Sequence, residues 1–218
     1  KSKPRCLPQL LRAVDWAITD MVYQVHKMLE EWKPLNPFNA LELLDSKFAD
    51  TRVRSFAVRC LESMSDAECA QLLLQLIQVL KYEPYHVSPL ANFLLHRALR
   101  SPYRIGQPFF WGLMSEIHCP DVSERFGILL EMYLRLSGQQ HREEILGQVD
   151  LLSQLEGVAR EIKTVPKETR LRVLRERLST VSIPRPVSLP LDARFSVGGL
   201  IVDKCKYMDS KKLPLWLV

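Results

Sequence analysis

The residues best able to do chemistry lie near the end of the sequence, in the stretch KCKYMDSKKLPLWLV at residues 204–218. Two strand-like runs bracket the polar tetrapeptide DSKK, a pattern that predicts a β-hairpin with DSKK in its turn. Such a turn would hold exposed backbone amides, the hydroxyl of Ser210 and a lysine ammonium group close together. These groups can bind an anion such as a phosphate. The same tetrapeptide also suits an ordinary solvated turn, and both interpretations are open at this point.

Other reactive residues show no pattern that predicts a site. The five histidines have no second ligand at metal spacing, and the motifs GxSxG, HExxH and GxxxxGK[ST] are absent from the sequence. The five cysteines form no CxxC pair, and several lie within apolar helical patterns. We therefore expect structural histidines, no catalytic or metal-binding residue, and reduced, buried thiols in a cytosolic protein.

The net charge of +5 is concentrated in one segment. Residues 160–185 contain eight basic and three acidic side chains, a local excess that equals the figure for the whole chain. This basic stripe suits a solvated helix face, an anion site or an anionic membrane surface. No aromatic residues are interleaved with it, so we do not expect a nucleic-acid partner.

Amphipathic helices must form the scaffold of this protein, because helical periodicity dominates the first two thirds of the chain. In TRVRSFAVRCLESM (51–64) the apolar residues recur at helical spacing, and SDAE (65–68) is a capping box that starts the next helix. Seven or eight helices with short loops are predicted before residue 138. Since LLLQLIQVL (72–80) is apolar nearly all round, we expect it to be buried on several sides, as in a stacked α-solenoid. We also expect the nearby Tyr82 to be a core aromatic between stacked helices.

The pattern changes after residue 138. Residues 139–180 predict two charge-rich helices with a break near Val165 and Pro166. The segment IPRPVSLPLD (183–192) has three prolines in ten residues, which predicts an extended connector. Two strand-like runs follow, FSVGGLIVDKCKYM (195–208) and KLPLWLV (212–218), and this shift in composition marks the expected domain boundary.

Composition indicates a folded globular chain. Of its residues 47% are apolar and 25% are charged, and no apolar run approaches the ~18 residues that span a bilayer. The first ten residues lack the apolar region of a signal peptide, and the sequence does not begin with Met. We therefore expect a truncated N-terminus.

Several long segments resemble the helical accessory domain of phosphoinositide 3-kinase catalytic subunits. They are ALELLDSKFADTRVRSFAVRCLESMSDAE (40–68), LLQLIQVLKYEPY (73–85), FLLHRALRSPYRIGQPFFWGLMSEIH (93–118) and RFGILLEMYLR (125–135). The terminal KCKYMDSKKLPLWLV resembles the first hairpin of that family's kinase domain. Both YRIGQPFFW and the terminal stretch look more like class I than class II or III, while ALELLDSKFAD also looks like class II.

The resemblance implies a mainly α fold: an α-solenoid of HEAT-like antiparallel helix pairs, followed by a short β-hairpin from an incomplete kinase N-lobe. It implies a helical domain at 1–137, charged lead-in helices and a Pro-rich connector at 138–187, and the first kinase hairpin at 188–218. Carried over by position, Ser210 and Lys211 would contact the ATP phosphates. The same comparison implies that Met208 and Trp216 form part of the adenine-pocket wall and that Pro214 shapes its rim. Leu213 stands where relatives often have a basic residue.

The resemblance also implies a function. The parent protein would be a lipid kinase that uses ATP and Mg²⁺ to phosphorylate the 3-hydroxyl of membrane phosphoinositides. Its catalytic and metal-binding loops would lie beyond Val218, so we expect the fragment to be inactive alone. A class I regulatory subunit and a Ras-type GTPase would be partners, and the protein would be cytoplasmic and recruited to the plasma membrane. The alternative is a stand-alone α-solenoid interaction module whose basic stripe binds a membrane or another anion.

Overall fold

The computed structural model describes residues 6–183 and 185–218, and this part of the chain is mainly α-helical, as predicted. Residues 1–5 and Pro184, which fall in the predicted ranges 1–137 and 138–187, lie outside the described residues. The α-helices are α1 (Leu7–Arg12), α2 (Thr19–Glu31), α3 (Pro37–Ala40), α4 (Thr51–Leu61), α5 (Asp66–Val79), α6 (Pro89–Arg100), α7 (Gln107–Met114), α8 (Pro120–Leu136), α9 (Gln139–Thr164) and α10 (Arg170–Leu178). The strands are β1 (Val187–Leu189), β2 (Asp192–Val197), β3 (Lys206–Tyr207) and β4 (Leu215–Trp216).

The chain forms two compact units, which we call the helical unit, ending at Leu136, and the hairpin unit, Ser137–Val218. In the helical unit, helices two positions apart in the chain pack on each other: α2 on α4, α4 on α6, α5 on α7 and α6 on α8. Stacked helix pairs pack in this way, in agreement with the predicted α-solenoid. The division of function among 1–137, 138–187 and 188–218 stays a prediction.

Local sequence signals determine where the helices of this unit begin. Asn36 and Ser88 each cap a helix whose next residue is proline, and the side-chain oxygens accept hydrogen bonds from Phe38 N and Ala91 N. At the start of α5 the Ser65 hydroxyl accepts from the Glu68 amide while the Glu68 carboxylate accepts from the Ser65 amide. The predicted capping box is therefore confirmed.

The predicted apolar face of α4 is buried, but two predictions for its neighbours were wrong. Val53, Phe56, Ala57, Cys60, Leu61 and Met64 are all at most 4% exposed. Leu74 in α5, however, is 62% exposed because α5 presents one face to solvent. Tyr82, expected to be a core aromatic, is 50% exposed on the turn that follows α5.

A close contact explains why the segment before α7 has a glycine at position 106. A Cβ atom at Gly106 would overlap the hydroxyl of Tyr133 and the carbonyl oxygen of Ala98. The Tyr133 ring then meets Phe109 edge-on, with ring centroids 5.9 Å apart. Burial raises the pKa of the Tyr133 hydroxyl. Glycine at position 106 therefore allows α6, α7 and α8 to approach closely.

The hairpin unit packs two short antiparallel hairpins with two helices. Its core contains Val158, Ile162, Leu174, Leu178 and Cys205. The helices α9 and α10 supply the first four of these residues. α9 ends at Thr164, next to the predicted break, and α10 ends at Leu178, two residues before the end of the predicted range. Tyr207, Leu215 and Leu217 of the second hairpin pack against the same cluster.

The sequence predicted one hairpin where the structure has two. β1 lies between Pro186 and Pro190 and pairs with β2, with Val187 opposite Val197. A strand bounded by prolines is short, because proline cannot donate to the ladder, but its interior residues can pair. The predicted run 195–208 is not one strand, since β2 ends at Val197 and is followed by a 3-10 turn at Val202–Lys204.

Within the described ranges, no helix is both long enough and apolar enough to cross a membrane.

All five cysteines are free thiols. Cys60, Cys69 and Cys205 are buried as expected, whereas Cys6 is exposed and Cys119 is partly exposed. Burial raises the pKa of the Cys60 and Cys69 thiols, which keeps them protonated and unreactive.

Candidate functional site

The candidate site is the hairpin formed by β3 and β4 and the turn between them. Lys206 pairs with Trp216 and Tyr207 pairs with Leu215 in the antiparallel ladder. The ladder continues into the turn, because the amide of Met208 donates to the carbonyl of Pro214 at 2.9 Å. The DSKK tetrapeptide therefore lies in the turn, as the sequence predicted.

Alternation along the two strands separates a buried face from an exposed face. Tyr207 and Leu215 point toward the core of the hairpin unit, where they pack against α9 and α10 residues. Met208 and Trp216 are 52% and 53% exposed. By strand register they share the opposite face with Pro214, which is also exposed. The three residues expected at an adenine pocket therefore lie together on one open surface.

The turn itself carries the two residues expected to contact phosphate. Ser210 and Lys211 are both exposed. The Ser210 amide donates to the carbonyl of Met208 at 2.9 Å, and the Leu213 amide donates to the carbonyl of Ser210 at 3.1 Å. These two bonds close the loop, so that the Ser210 hydroxyl and the Lys211 ammonium are presented on a short, ordered turn.

Leu213 fixes the end of the turn in a way that sequence reasoning missed. Its φ angle is 47°, in the left-handed region that non-glycine residues seldom adopt, yet its side chain is only 7% exposed. Such a conformation costs roughly 1–3 kcal/mol. Burial of a leucine side chain returns a similar amount, about 1.5–3 kcal/mol. An apolar residue that precedes a proline at the end of a polar turn is the sequence signal that could have suggested this anchor.

The turn is also attached to the helices beneath it. The Lys167 ammonium lies 2.5 Å from the Asp209 carboxylate. A few residues away, the Arg175 guanidinium donates to the carbonyl of Asp203 at 2.5 Å. Neither contact was predicted, because the partners are 42 and 28 residues apart in the sequence.

Most of the basic stripe is paired within the hairpin unit. Seven of its eight basic side chains contact an acidic side chain or a backbone carbonyl: Arg160 with Glu156, Lys167 with Asp209, Arg170 with Val165, Arg172 with Glu176, Arg175 with Asp203, Arg177 with Glu161 and Arg185 with Glu143. The arrangement supports the interpretation of a solvated helix face more than that of an open anion-binding surface.

A groove also lies between α4 and α6. Arg97 lies in this groove, but its guanidinium donates to the Asp66 carboxylate at 2.6 Å and to the carbonyls of Glu62 and Met64. That side chain closes the end of α4 instead of facing a ligand. In the described residues, no group of three or more His, Cys, Asp or Glu side chains is placed to hold a metal ion.

Comparison with known proteins gives a consistent result. Residues 1–146 match the family described as phosphoinositide 3-kinase family, accessory domain (PIK domain). Phosphatidylinositol 3-kinase 2 of Dictyostelium discoideum is 50% identical over 219 residues, which cover 100% of this chain and 12% of that protein. Phosphatidylinositol 3-kinase 1 of the same organism is 45% identical over 98% of the chain and 14% of its own length. Phosphatidylinositol 3-kinase 3 is 38% identical over 99% of the chain and 13% of its own length.

Proposed function

Because the chain belongs to the phosphoinositide 3-kinase family through its accessory domain, we propose that it is part of a phosphatidylinositol 3-kinase catalytic subunit. The whole protein transfers the γ-phosphate of ATP to the 3-hydroxyl of membrane phosphoinositides. The chain spans only 12–14% of the length of the curated relatives it matches, so this activity is a proposal. The observation that carries it is the similarity across both units, together with an exposed, ordered turn of phosphate-binding groups.

The two units have different parts in this proposal. The helical domain at 1–137 is a rigid frame, because its helices pack on one another through buried apolar side chains and closely packed cores resist deformation. The lead-in at 138–187 supports the hairpin region at 188–218, which supplies one edge of the nucleotide site. A stand-alone anion-binding module is less well supported, because the basic side chains of the stripe are mostly paired.

The roles proposed for the hairpin residues are those that the family resemblance implies, and the exposure of these residues is compatible with such roles. Ser210 and Lys211 contact the ATP phosphates with a hydroxyl and an ammonium, and charge-assisted hydrogen bonds of this kind are the strong ones. Met208 and Trp216 form part of the adenine-pocket wall, where an exposed thioether and indole offer apolar area. Pro214 shapes the rim. Phosphoryl transfer depends on positioning and charge stabilisation, and these residues contribute to both.

The remaining components come with the family. ATP and Mg²⁺ are the proposed nucleotide and metal of the whole enzyme, and the metal ligands belong to other segments. A class I regulatory subunit and a Ras-type GTPase are the proposed partners. The proposed location is cytoplasmic with recruitment to the plasma membrane, where the phosphoinositide substrate lies.

The experiment uses the full-length protein, ATP and phosphatidylinositol vesicles. We expect a product phosphorylated at the 3-position of the inositol ring, identified by chromatography of the deacylated lipid. Lys211→Ala should raise the KM for ATP or lower kcat without changing the melting temperature. An enzyme that makes no 3-phosphorylated lipid contradicts the proposed activity.

Two control variants make the result specific. Lys204→Ala removes an exposed lysine that lies outside the turn, and it should leave the kinetics unchanged. Lys212→Ala removes the ammonium next to Lys211 and tests the assignment between the two neighbours. Loss of nucleotide affinity with Lys212→Ala alone would contradict the role given to Lys211.

A further inference from the structure

An acidic residue, Asp209, begins the DSKK turn of the proposed phosphate loop. Asp209 is bonded to Ser210 in the chain, and consecutive Cα atoms are about 3.8 Å apart. A free carboxylate at this position would repel a polyanion bound at Ser210 and Lys211, since like charges at short range are unfavourable. A phosphate loop with an aspartate at this position therefore needs a nearby group that compensates the negative charge of the carboxylate.

The Asp209 carboxylate is engaged by a cation from outside the hairpin. Its Oδ2 atom lies 2.5 Å from Lys167 Nζ. The hydrogen bond from Lys167 lowers the pKa of Asp209, and Arg170 adds to this effect through its charge. In turn, the hydrogen bond to Asp209 raises the pKa of Lys167. Both groups are therefore charged at neutral pH, and the negative charge of Asp209 is compensated locally.

An ordered turn between α9 and α10 presents Lys167. The carbonyl of Pro166 accepts hydrogen bonds from both the amide and the hydroxyl of Thr169, each at 3.1 Å. The Arg170 guanidinium donates to the carbonyl of Val165 at 2.9 Å. Proline also fixes its own φ angle. The backbone that carries Lys167 is therefore restrained on both sides of the residue.

The core of the hairpin unit holds this turn and the phosphate loop in fixed positions relative to each other. Ile162 lies just before the Lys167 turn and Leu174 lies after it, and both are fully buried. Tyr207, two residues before Asp209, packs against the cluster that contains them. One core thus holds both partners, and the ion pair does not have to organise the two segments by itself.

We propose that Lys167 is a positioning residue for the nucleotide: it holds the Asp209 carboxylate against the α9–α10 turn and compensates its charge, which leaves Ser210 and Lys211 to bind phosphate. The proposal rests on the proposed function of the hairpin as a phosphate loop. Lys167 touches neither the nucleotide nor the lipid and acts only through Asp209.

A comparison within the same unit separates this pair from an ordinary surface ion pair. Arg172 and Glu176 are also exposed and 2.6 Å apart, but they lie one turn apart on α10. Pairs of that kind contribute little and have no effect on a distant loop. Lys167 and Asp209 are 42 residues apart and join two different segments. The Arg172 pair is therefore a matched control.

The test is a set of ATP kinetics on the full-length protein. Lys167→Ala should raise the KM for ATP about three- to ten-fold, the range expected for one uncompensated charge near a polyphosphate at physiological salt. The kcat should stay within about two-fold, because the reacting groups are unchanged. Asp209→Asn should have a KM equal to or below that of the wild type, and Arg172→Ala should behave as the wild type.

The double variant Lys167→Ala/Asp209→Asn gives the decisive result. If Lys167 acts by compensating the charge of Asp209, the double variant should return to the KM of Asp209→Asn. If Lys167 only stabilises the local fold, the double variant stays impaired, and that outcome overturns the proposal. The effect of Lys167→Ala should also shrink at 0.5 M salt, where the Debye length is about 4 Å.

The outcomes also distinguish this proposal from the function on which it rests. A wild-type protein without lipid kinase activity contradicts the proposed function before any variant is compared. An active wild type in which Lys211→Ala raises the KM for ATP but Lys167→Ala does not overturns the role of Lys167 alone. Equilibrium titration of ATP against the same variants measures affinity directly and should give the same order.

Discussion

Removing one partner of the buried ion pair between Arg54 and Glu83 should strongly destabilise the helical unit. Both side chains are 1% exposed. The Arg54 Nε atom donates to Glu83 Oε1 at 2.7 Å. Nη1 of the same guanidinium donates to the carbonyls of Phe48 and Asp45 at 3.0 and 3.3 Å. Arg54 therefore joins α4 to the turn before it and to the turn after α5.

The magnitude follows from which groups each substitution leaves unpaired. Glu83→Leu leaves a buried guanidinium without its counter-ion, and Arg54→Met leaves a buried carboxylate, so each should cost about 3–5 kcal/mol. The double variant removes both charges and loses only the two bonds to the carbonyls, at about 1 kcal/mol each. We therefore expect it to be more stable than either single variant.

The assay is native-state hydrogen exchange of the α4 amides in the full-length protein, which reports on this unit separately. Arg52→Met is the matched control, because Arg52 lies on the same helix in an exposed pair with Glu30 at 3.6 Å. It should change the exchange free energy by less than about 0.5 kcal/mol. Single variants as stable as Arg52→Met, or a double variant less stable than both, would refute the reasoning.

Three further predictions concern stability. Phe56→Ala should cost about 3–5 kcal/mol, because the side chain is 3% exposed. Leu74→Ala, at a 62% exposed position, should cost under about 1 kcal/mol. Urea unfolding of both variants measures the two losses of unfolding free energy, and equal losses would contradict the assignment of Phe56 to the core. Leu213→Gly should lower the melting temperature less than Leu213→Ala, the reverse of the usual order, because glycine adopts a positive φ without strain. A higher melting temperature for the alanine variant would exclude backbone strain at this position. Burial lowers the pKa of His141, so the unfolded state binds more protons as pH falls through about 6.5, and stability should decrease there. His141→Gln should flatten this dependence between pH 7.5 and 5.5, and an unchanged slope would contradict it.

Local signals in the sequence were sufficient for much of the helical unit. The face of α4 and the capping box at Ser65 were correct because both depend on residues within one or two helical turns of each other. The break between α9 and α10 was also correct, since proline at position 166 excludes a continuous helix. Such features need no knowledge of the tertiary partners.

The misplaced predictions depended on partners far away in the chain. The local sequence also gives no sign that Arg54 is buried, and only the position of Glu83 explains its burial. In the same way, Leu74 and Tyr82 are exposed because of how the neighbouring helices pack, which periodicity does not encode. β1 was missed because its pairing with β2 outweighs the prolines on either side of it.

In the candidate site, too, the features that depend on local sequence were predictable and those that depend on distant partners were not. Residue types alone suggested a phosphate-binding turn, and the five named residues, Met208, Ser210, Lys211, Pro214 and Trp216, came from resemblance to a family. The hairpin that brings them together was predictable from DSKK between two strand-like runs. The contact of Lys167 with Asp209 was not, because it depends on the packing of α10 against β3.

The most direct test of the central claim is hydrogen exchange of the full-length protein with and without ATP and Mg²⁺. If the turn between β3 and β4 is the phosphate loop, amides from Met208 to Leu213 should exchange more slowly with nucleotide, while those of α4 are unchanged. Unaltered exchange in the turn at saturating ATP, in a protein that is phosphorylating phosphatidylinositol, would contradict the claim.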